Sequence, residues 1–488
     1  MTRRFISVLL ILFFFCQFTA FAESGKDEMH RYYAVGPVNE GYTWALCAGA
    51  NALDPWEEAT TYIIDVHGNR LTDDTLTVSN RYFSEGLVTV WKNGKAGCID
   101  KEGNVVIPFV FDDICDFING SAVVILNEKS GLIDRNGNLL IPCEWDDISI
   151  CYHSEEPLYA VRKGDKYGLM NASGQMIQPC ELSYVSFDGF QDGLMLIRNE
   201  HGYGYVNEKG EIAIPCQWLA ALDFKNGLAR IYTGERFGYI DTTGKLLFLV
   251  PEDWRIRGNK FYYINNEKIE TSFYENYSFQ GGLLKVMNSK GMYGFIDTTG
   301  TPIFPFQDWQ WVDDFSDGMA MIRKNEKYGF IDLTGAEVIP CVLDDAWPFY
   351  HGYALVKRSK EWQVIDHAGN TVALIGDVSV NRFLAKEGLF EIVNTAAEEN
   401  LYGLLRYDGA FITDCQWSYI GWISDDYVCE VTMFCELDSN PQIGYIDGTT
   451  GEILVPCQYD QGYYSNGYFT LIRDGYLTIL DREGNILF

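Results

Sequence analysis

Gly294-Phe295-Ile296-Asp297-Thr298-Thr299-Gly300-Thr301-Pro302-Ile303-Phe304-Pro305, carried on through Trp309 and Asp313-Asp314 to Phe315-Ser316-Asp317-Gly318-Met319-Ala320-Met321-Ile322, decides how this chain is read. The string restarts at Gly329 as Gly329-Phe330-Ile331-Asp332-Leu333-Thr334-Gly335 and runs to Pro340. Further copies open at Gly97, Gly131, Gly168, Gly204, Gly238, Gly403 and Gly444, with degenerate ones near Thr61, Trp362 and Tyr476. A unit of about 35 residues recurring from end to end marks a repeat architecture, and it specifies a scaffold far better than it specifies a ligand.

Each unit reads as strands. Gly-Phe-Ile-Asp is a short strand. The x-x-Gly that follows is a tight turn, with Asp accepting local backbone hydrogen bonds and Gly supplying a positive φ. A few residues such as Ala336 to Ile339 form the return strand, and Pro340 is expected to end it because Pro cannot donate into a ladder. Next comes an aromatic or Leu, often with two acids: Phe111-Asp112-Asp113, Trp145-Asp146-Asp147, Leu343-Asp344-Asp345. Phe-x-x-Gly then opens a second strand, as in Phe190 to Ile197, Phe224 to Ile231 and Phe315 to Ile322. No stretch keeps a helical period over a useful length. The fold class is therefore all-β: tandem repeats of three to four short antiparallel strands. About a dozen hairpins exceed the four to eight blades of a usual propeller, which favours an open, superhelical or rotor-like stack over one or two β-propellers. Tyr42 to Cys47 at one end and Tyr476 to Phe488 at the other read as complementary half-units.

This pattern resembles the WG (KWG) repeat family over nearly the whole chain beyond the leader. Its elements stand together in Gly97 to Val124, Gly294 to Ile322 and Gly329 to Val356. The Trp-Gly pair that names the family is here Tyr167-Gly168, Phe237-Gly238, Tyr293-Gly294, Tyr328-Gly329 and Tyr402-Gly403, which keeps an aromatic before the glycine. The resemblance implies a bacterial repeat protein that binds or scaffolds, with no catalytic activity.

Arg3-Arg4, the apolar run Phe5 to Phe15 and the small-x-small site Ala20-Phe21-Ala22 form a secretory signal pattern. The expected organisation is a signal peptide over 1–22, an N-terminal capping half-repeat over 23–58, repeats over 59–250, an insertion over 251–278 and repeats over 279–488. Secretion to the extracellular space or cell envelope follows, with no membrane insertion after cleavage. The chain carries 37 Lys+Arg against 68 Asp+Glu, a net charge of −31. Such an acidic surface repels phosphate backbones, so nucleic acid is excluded as a partner. A protein or glycan at the cell surface remains.

Cys143, Cys180, Cys216, Cys341 and Cys457 each follow a Pro at one repeat position, and Cys415 follows Asp414 there. One residue type in one slot points to a shared packing site, so buried reduced thiols are expected, with disulfides as the alternative. No C-x-x-C pair suggests a metal, and no cofactor is expected. The six His share no register, and no nucleophile or phosphate-loop motif is present. The Asp-Asp pairs, including Asp313-Asp314, read as turn and strand-end caps at one repeat position rather than as calcium ligands or catalytic acids.

Trp145, Trp218, Trp309 and Trp417 share a slot and read as core. Trp254, Trp311, Trp347 and Trp422 lie nearer irregular segments and are candidates for an exposed platform. The insertion adds Tyr262, Tyr263 and Tyr274, with an acidic rim of Glu252, Asp253, Glu267 and Glu270. If a specific surface exists, Trp254, Tyr262, Tyr263 and Tyr274 are its expected binding residues. A non-catalytic binding scaffold is the leading expectation. Carbohydrate binding through loop aromatics comes second, and a hydrolase with acids in the insertion third.

Overall fold

The structure is a computed structural model that describes residues 32–47, 59–78, 82–154, 157–252, 254–255, 261–264, 267–270, 279, 281–376, 378–384, 388–394, 400–433 and 441–488. The signal pattern lies outside them. Every named element among the described residues is a β-strand. The strands form small antiparallel meanders, mostly four-stranded, in which neighbours in sequence are neighbours in the sheet, except that Trp254–Arg255 pairs with Leu284–Asn288 across a separate hairpin. The residues group into two compact units, Met1–Asn80 with Gln458–Phe488, and Arg81–Cys457.

In the larger unit the sheet boundary falls just after the recurring aromatic or Leu. The four-stranded sheet Trp311–Ser316, Met319–Lys324, Lys327–Asp332, Glu337–Leu343 ends at Leu343, and Asp345–Ala346 begins the next. A sequence unit therefore straddles two sheets, and its two phenylalanines meet between them. Phe330 and Phe349 pack edge to face with centroids 4.8 Å apart. Phe295 with Phe315 and Tyr205 with Phe224 repeat the contact, each pair at 4.7 Å. Each core is shared by consecutive sheets: Met319, Phe330 and Ile339 from one side meet Phe349, Val356 and Ile365 from the other. Inner strands are thus covered on both faces, so Gly329, Phe330 and Ile331 are all buried and only the outer strands alternate.

The glycine that opens each unit is fixed by a close approach. A Cβ built on Gly329 would lie 2.6 Å from the Ile339 carbonyl oxygen and 2.9 Å from Cys341 Sγ. On Gly131 it would lie 2.8 Å from the Ile141 oxygen and 2.6 Å from Cys143 Sγ. The residue after the Pro lies directly over the glycine, which is the reason for its slot. It is a thiol in most units and a phenyl ring at Phe109 and Phe306. The proline does not end its strand. Pro340 lies inside Glu337–Leu343, and Pro142 inside Leu139–Trp145. It occupies an outer strand where the register shifts between Ile141 and Trp145, so no ladder partner loses a donor.

In the smaller unit the two chain termini pack on one another. The Tyr32 N–H donates to Gly475 O at 2.8 Å, Thr470 Oγ1 to Gly36 O at 3.0 Å and Asn466 Nδ2 to Val38 O at 2.8 Å. Val35, Ala45 and Ile64 share a core with Ile472, Leu477 and Ile479. Each end forms its own three-stranded sheet, and the two sheets share this core.

Candidate binding surface

The repeated acids are taken up by the fold. In the turn after each Gly-Phe-Ile-Asp, Asp332 Oδ1 accepts the Thr334 N–H at 2.9 Å, the Thr334 hydroxyl at 2.6 Å and the Ala336 N–H at 3.1 Å. These bonds hold its carboxyl below the usual range, the Thr334 hydroxyl foremost. Gly335 closes the turn at φ +80. The first acid of each pair binds the Lys that precedes the opening glycine. Lys95 Nζ lies 2.5 Å from Asp112, Lys129 Nζ 2.5 Å from Asp146, and Lys327 Nζ 2.5 Å from Asp344. The same carboxylates accept turn N–H groups, from Asn127 at 2.6 Å and from Gly164 at 2.6 Å.

Asp313-Asp314 does not share this position. Gln310 stands there instead, accepting the Glu326 N–H at 2.9 Å through Oε1, while Asp314 reaches Lys285 at 3.3 Å. The pair lies just before Phe315, later in the unit than the others, and burial raises the Asp313 carboxyl.

The eleven described cysteines are all free thiols. The six in the repeat slot are half-buried, not buried: they lie on outer strands over the glycine. Cys457 Sγ approaches Val431 O at 3.7 Å and Cys415 Sγ approaches Ile392 O at 3.9 Å. The fully buried thiols are Cys47, Cys98, Cys151 and Cys429, outside that slot. Among the described residues no group of three or more His, Cys, Asp and Glu could hold a metal ion.

Of the expected binding residues, Trp254 lies on a two-residue strand whose backbone pairs with Asn288. Tyr262 and Tyr263 lie on Phe261–Ile264, which pairs with Glu267–Glu270 in a hairpin. Tyr274 and Asp253 are outside the described residues. Trp145, Trp309 and Trp417 are buried and Trp218 half-buried, as their slot implies. Trp311 packs on the core of its neighbouring sheets, and Trp347 meets Phe390 edge to face at 6.0 Å.

Trp422 differs from all of these. It is 81% exposed, in the middle of a strand, Tyr419–Ile423. Tyr419 pairs with Thr432, Ile420 with Val431 and Ile423 with Cys429, so Gly421 and Trp422 together oppose Glu430 alone. That bulge turns the indole out to solvent. Arg382 holds the bulge from the preceding sheet: Nη2 donates to Ile420 O at 2.8 Å and to Gly421 O at 3.4 Å. Its Nε donates to Glu391 Oε2 at 2.8 Å, and Glu391 is almost wholly buried. A Cβ on Gly421 would lie 3.3 Å from Glu430 Oε1 and 3.4 Å from Tyr419 Cε1, so both side chains lie beside the Gly421 backbone. Burial pushes the Glu430 carboxyl up. Beyond the strand, Tyr427 is exposed and sits at φ +64, unusual for a bulky side chain. Its carbonyl accepts the Gly448 N–H at 2.7 Å, which holds it there.

The family model described as the WG containing repeat matches residues 97–129, 131–167, 203–236, 293–328, 328–362 and 443–475. The chain is a WG-repeat protein. The Trp422 bulge lies outside all six matched segments of this WG-repeat chain. No curated protein matches it. Among solved structures it is similar to Hsv2 of Kluyvelomyces marxianus, at 9% identity over 59% of this chain and 89% of that one, with a TM-score of 0.26. It is also similar to the extracellular domain of a candidate one-component system of B. thetaiotaomicron, at 9% identity over 95% and 77%, with a TM-score of 0.21. At such scores neither informs the fold or role of this WG-repeat protein. Among the described residues no helix is long and apolar enough to cross a membrane.

Proposed function

We propose that this WG-repeat protein is an exported, non-catalytic scaffold that binds a protein or other ligand at the cell surface. The observation that carries this reading is how the repeat uses its polar groups. Turn acids bond their own turn's N–H and hydroxyl groups unit after unit, and Lys95, Lys129 and Lys327 pair with the strand-start acids of their units. Repeated in this way they rigidify a stack of small sheets, and rigid stacked units present extended binding surfaces. An aromatic presented to solvent at Trp422 suits contact with a partner. The leader Arg3-Arg4, Phe5 to Phe15 and Ala20-Phe21-Ala22 supports export. Carbohydrate binding is a second reading, favoured by the same open indole face.

Two measurements test the proposal. Chain recovered outside intact cells is expected to begin at Glu23. Chain found only inside, beginning at Met1, overturns export. Photo-crosslinkers placed at exposed Leu333, Tyr419 and Tyr463 are expected to give a discrete adduct on intact cells from at least one site. Their uniform failure overturns surface binding.

A further inference from the structure

Trp422 occupies a place that the regular units give to small or charged residues. The residue just before the core phenylalanine is Asp116 before Phe117, Asp223 before Phe224, Asp314 before Phe315 and Pro348 before Phe349. Trp422 precedes Ile423, which fills the core position at 5% exposure. Placing an indole there adds nothing to the core. It is held out by a bulge that an ion-paired arginine clamps, and such a presented aromatic is the kind of group that anchors a partner.

The surroundings specify the partner's chemistry. Tyr419 and Tyr427 are exposed on either side in sequence, at 53% and 39%. The turn between carries Asp425 and Asp426, and the bulge lies over Glu430. The cation that bonds the bulge, Arg382, is paired with Glu391 at 2.7 Å and donates to two backbone carbonyls. Glu430 has no cation partner among the described residues, and burial already penalises its charge. The groups presented here are aromatic faces and one carboxylate without a cation, a combination that suits a cationic ligand. A guanidinium or ammonium group can stack on an indole and pair with a half-buried carboxylate at once. The net charge of −31 steers basic ligands toward the chain from a distance.

We infer that Tyr419, Trp422, Tyr427 and Glu430 form a docking site for a basic segment of a partner protein, with an Arg or Lys side chain stacked on Trp422 and paired with Glu430. This rests on the scaffold reading and names the class of partner. It also moves the expected contact from the 251–278 insertion to the 419–430 strand and turn.

The test uses the full chain labelled with 5-fluorotryptophan, with the Trp422 resonance assigned through Trp422→Phe. The probes are an alternating arginine–alanine peptide, its glutamate–alanine counterpart and a chito-oligosaccharide. The arginine peptide is expected to shift the Trp422 signal saturably. Trp422→Ala is expected to weaken its binding about tenfold with the melting temperature unchanged, and Glu430→Gln about threefold without lowering the melting temperature. Peptide binding unaltered in Trp422→Ala would mean that net charge alone holds it and would overturn the site. A response to the oligosaccharide but not to the arginine peptide overturns the basic partner and leaves surface binding standing. Silence of Trp422 toward all three probes overturns the site, while the crosslinking experiment still judges the scaffold independently.

Discussion

Asp116 and Trp422 hold corresponding places in two units of one repeat, and their surroundings separate what the repeat fixes from what it leaves open. Around Asp116 the first strand is only Asp113–Ile114, the Cys115 N–H donates to Val123 O at 2.8 Å, and Phe117 enters the core. Around Trp422 the strand lengthens to Tyr419–Ile423, a bulge absorbs the added length, and Ile423 fills the core instead. Both residues 116 and 422 face solvent. Packing dictates the positions on either side, while this one varies from unit to unit: Asp314 pairs with Lys285, Asp223 is drawn inward, and Trp422 stands in solvent. The regular units show what holds the stack, and the irregular unit shows where side chains are free to serve something else.

The sharpest way to break that contrast is to remove a fixed position. Phe349 is 1% exposed and joins two sheets through Phe330. Phe349→Ala is expected to cost about 3–5 kcal/mol, read as a fall in the urea midpoint. A loss below about 1 kcal/mol would mean that the sheets are not held by this pair.

Gly329→Ala comes next. Its Cβ must displace a backbone carbonyl and Sγ of Cys341, and overpacking of this kind costs about 1–3 kcal/mol. Gly94→Ala is the control, because nothing lies within 4 Å of its added Cβ and only its positive φ is strained. Equal losses in the two variants would remove the close approach as the reason for the glycine.

Acid should act on the regular units through their turns. Asp241, Asp297 and Asp332 all titrate below the usual carboxylate range, each held down first by a threonine hydroxyl. Their contribution is complete above the unfolded value of about 4 and is lost as pH falls through the lower folded values. Asp223 and Glu430, raised by burial, act in the opposite sense, since falling pH relieves their penalty. The melting temperature is expected to hold from neutral pH to about 5 and to drop below about 4. Asn already serves this turn at Asn171, whose Oδ1 accepts the Gln175 N–H at 2.9 Å. The triple replacement of these three Asp by Asn should therefore keep the turns and blunt the acid loss. An identical pH profile would contradict the assignment.

The smallest effect concerns the thiols. Cys415 is half-buried with Ile392 O in reach, so a serine hydroxyl would find an acceptor. Cys415→Ser is expected to stay within about 1 kcal/mol of the parent. Burial pushes the Cys341 thiol to about 11, so a thiol reagent at neutral pH should label it slowly. Disulfide-linked peptides among the repeat-slot cysteines in the unreduced chain would contradict free thiols.

Much of the fold was legible because the repeat writes it many times. The turn of Asp332 and Gly335, the hairpin and the core Trp slot are local rules, and each followed from spacing. The repeat-slot cysteines are half-buried where their recurrence implies burial. Recurrence reveals a shared environment and not its depth, and here the environment is an outer strand over a glycine. Pro340 misled for a related reason: a proline ends a central strand, but whether a strand is central depends on pairing across sheets. Asp313-Asp314 has the composition of the other acid pairs but directly precedes Phe315, a position later in the unit. The Trp422 site carried a readable signal, an aromatic in a place held by Asp116, Asp223 and Asp314. What the sequence could not supply was Arg382 reaching across from the preceding sheet and the bulge that turns the indole outward.

Trp417 and Trp422 stand close together in one chain segment, the first 3% exposed and the second 81%. Thermal unfolding of Trp417→Ala beside Trp422→Ala tests most directly whether the slot decides a residue's task. Trp417→Ala is expected to lose about 3–5 kcal/mol, and Trp422→Ala to unfold within about 0.5 kcal/mol of the parent. Comparable losses in the two variants would contradict the separation of structural from contact positions.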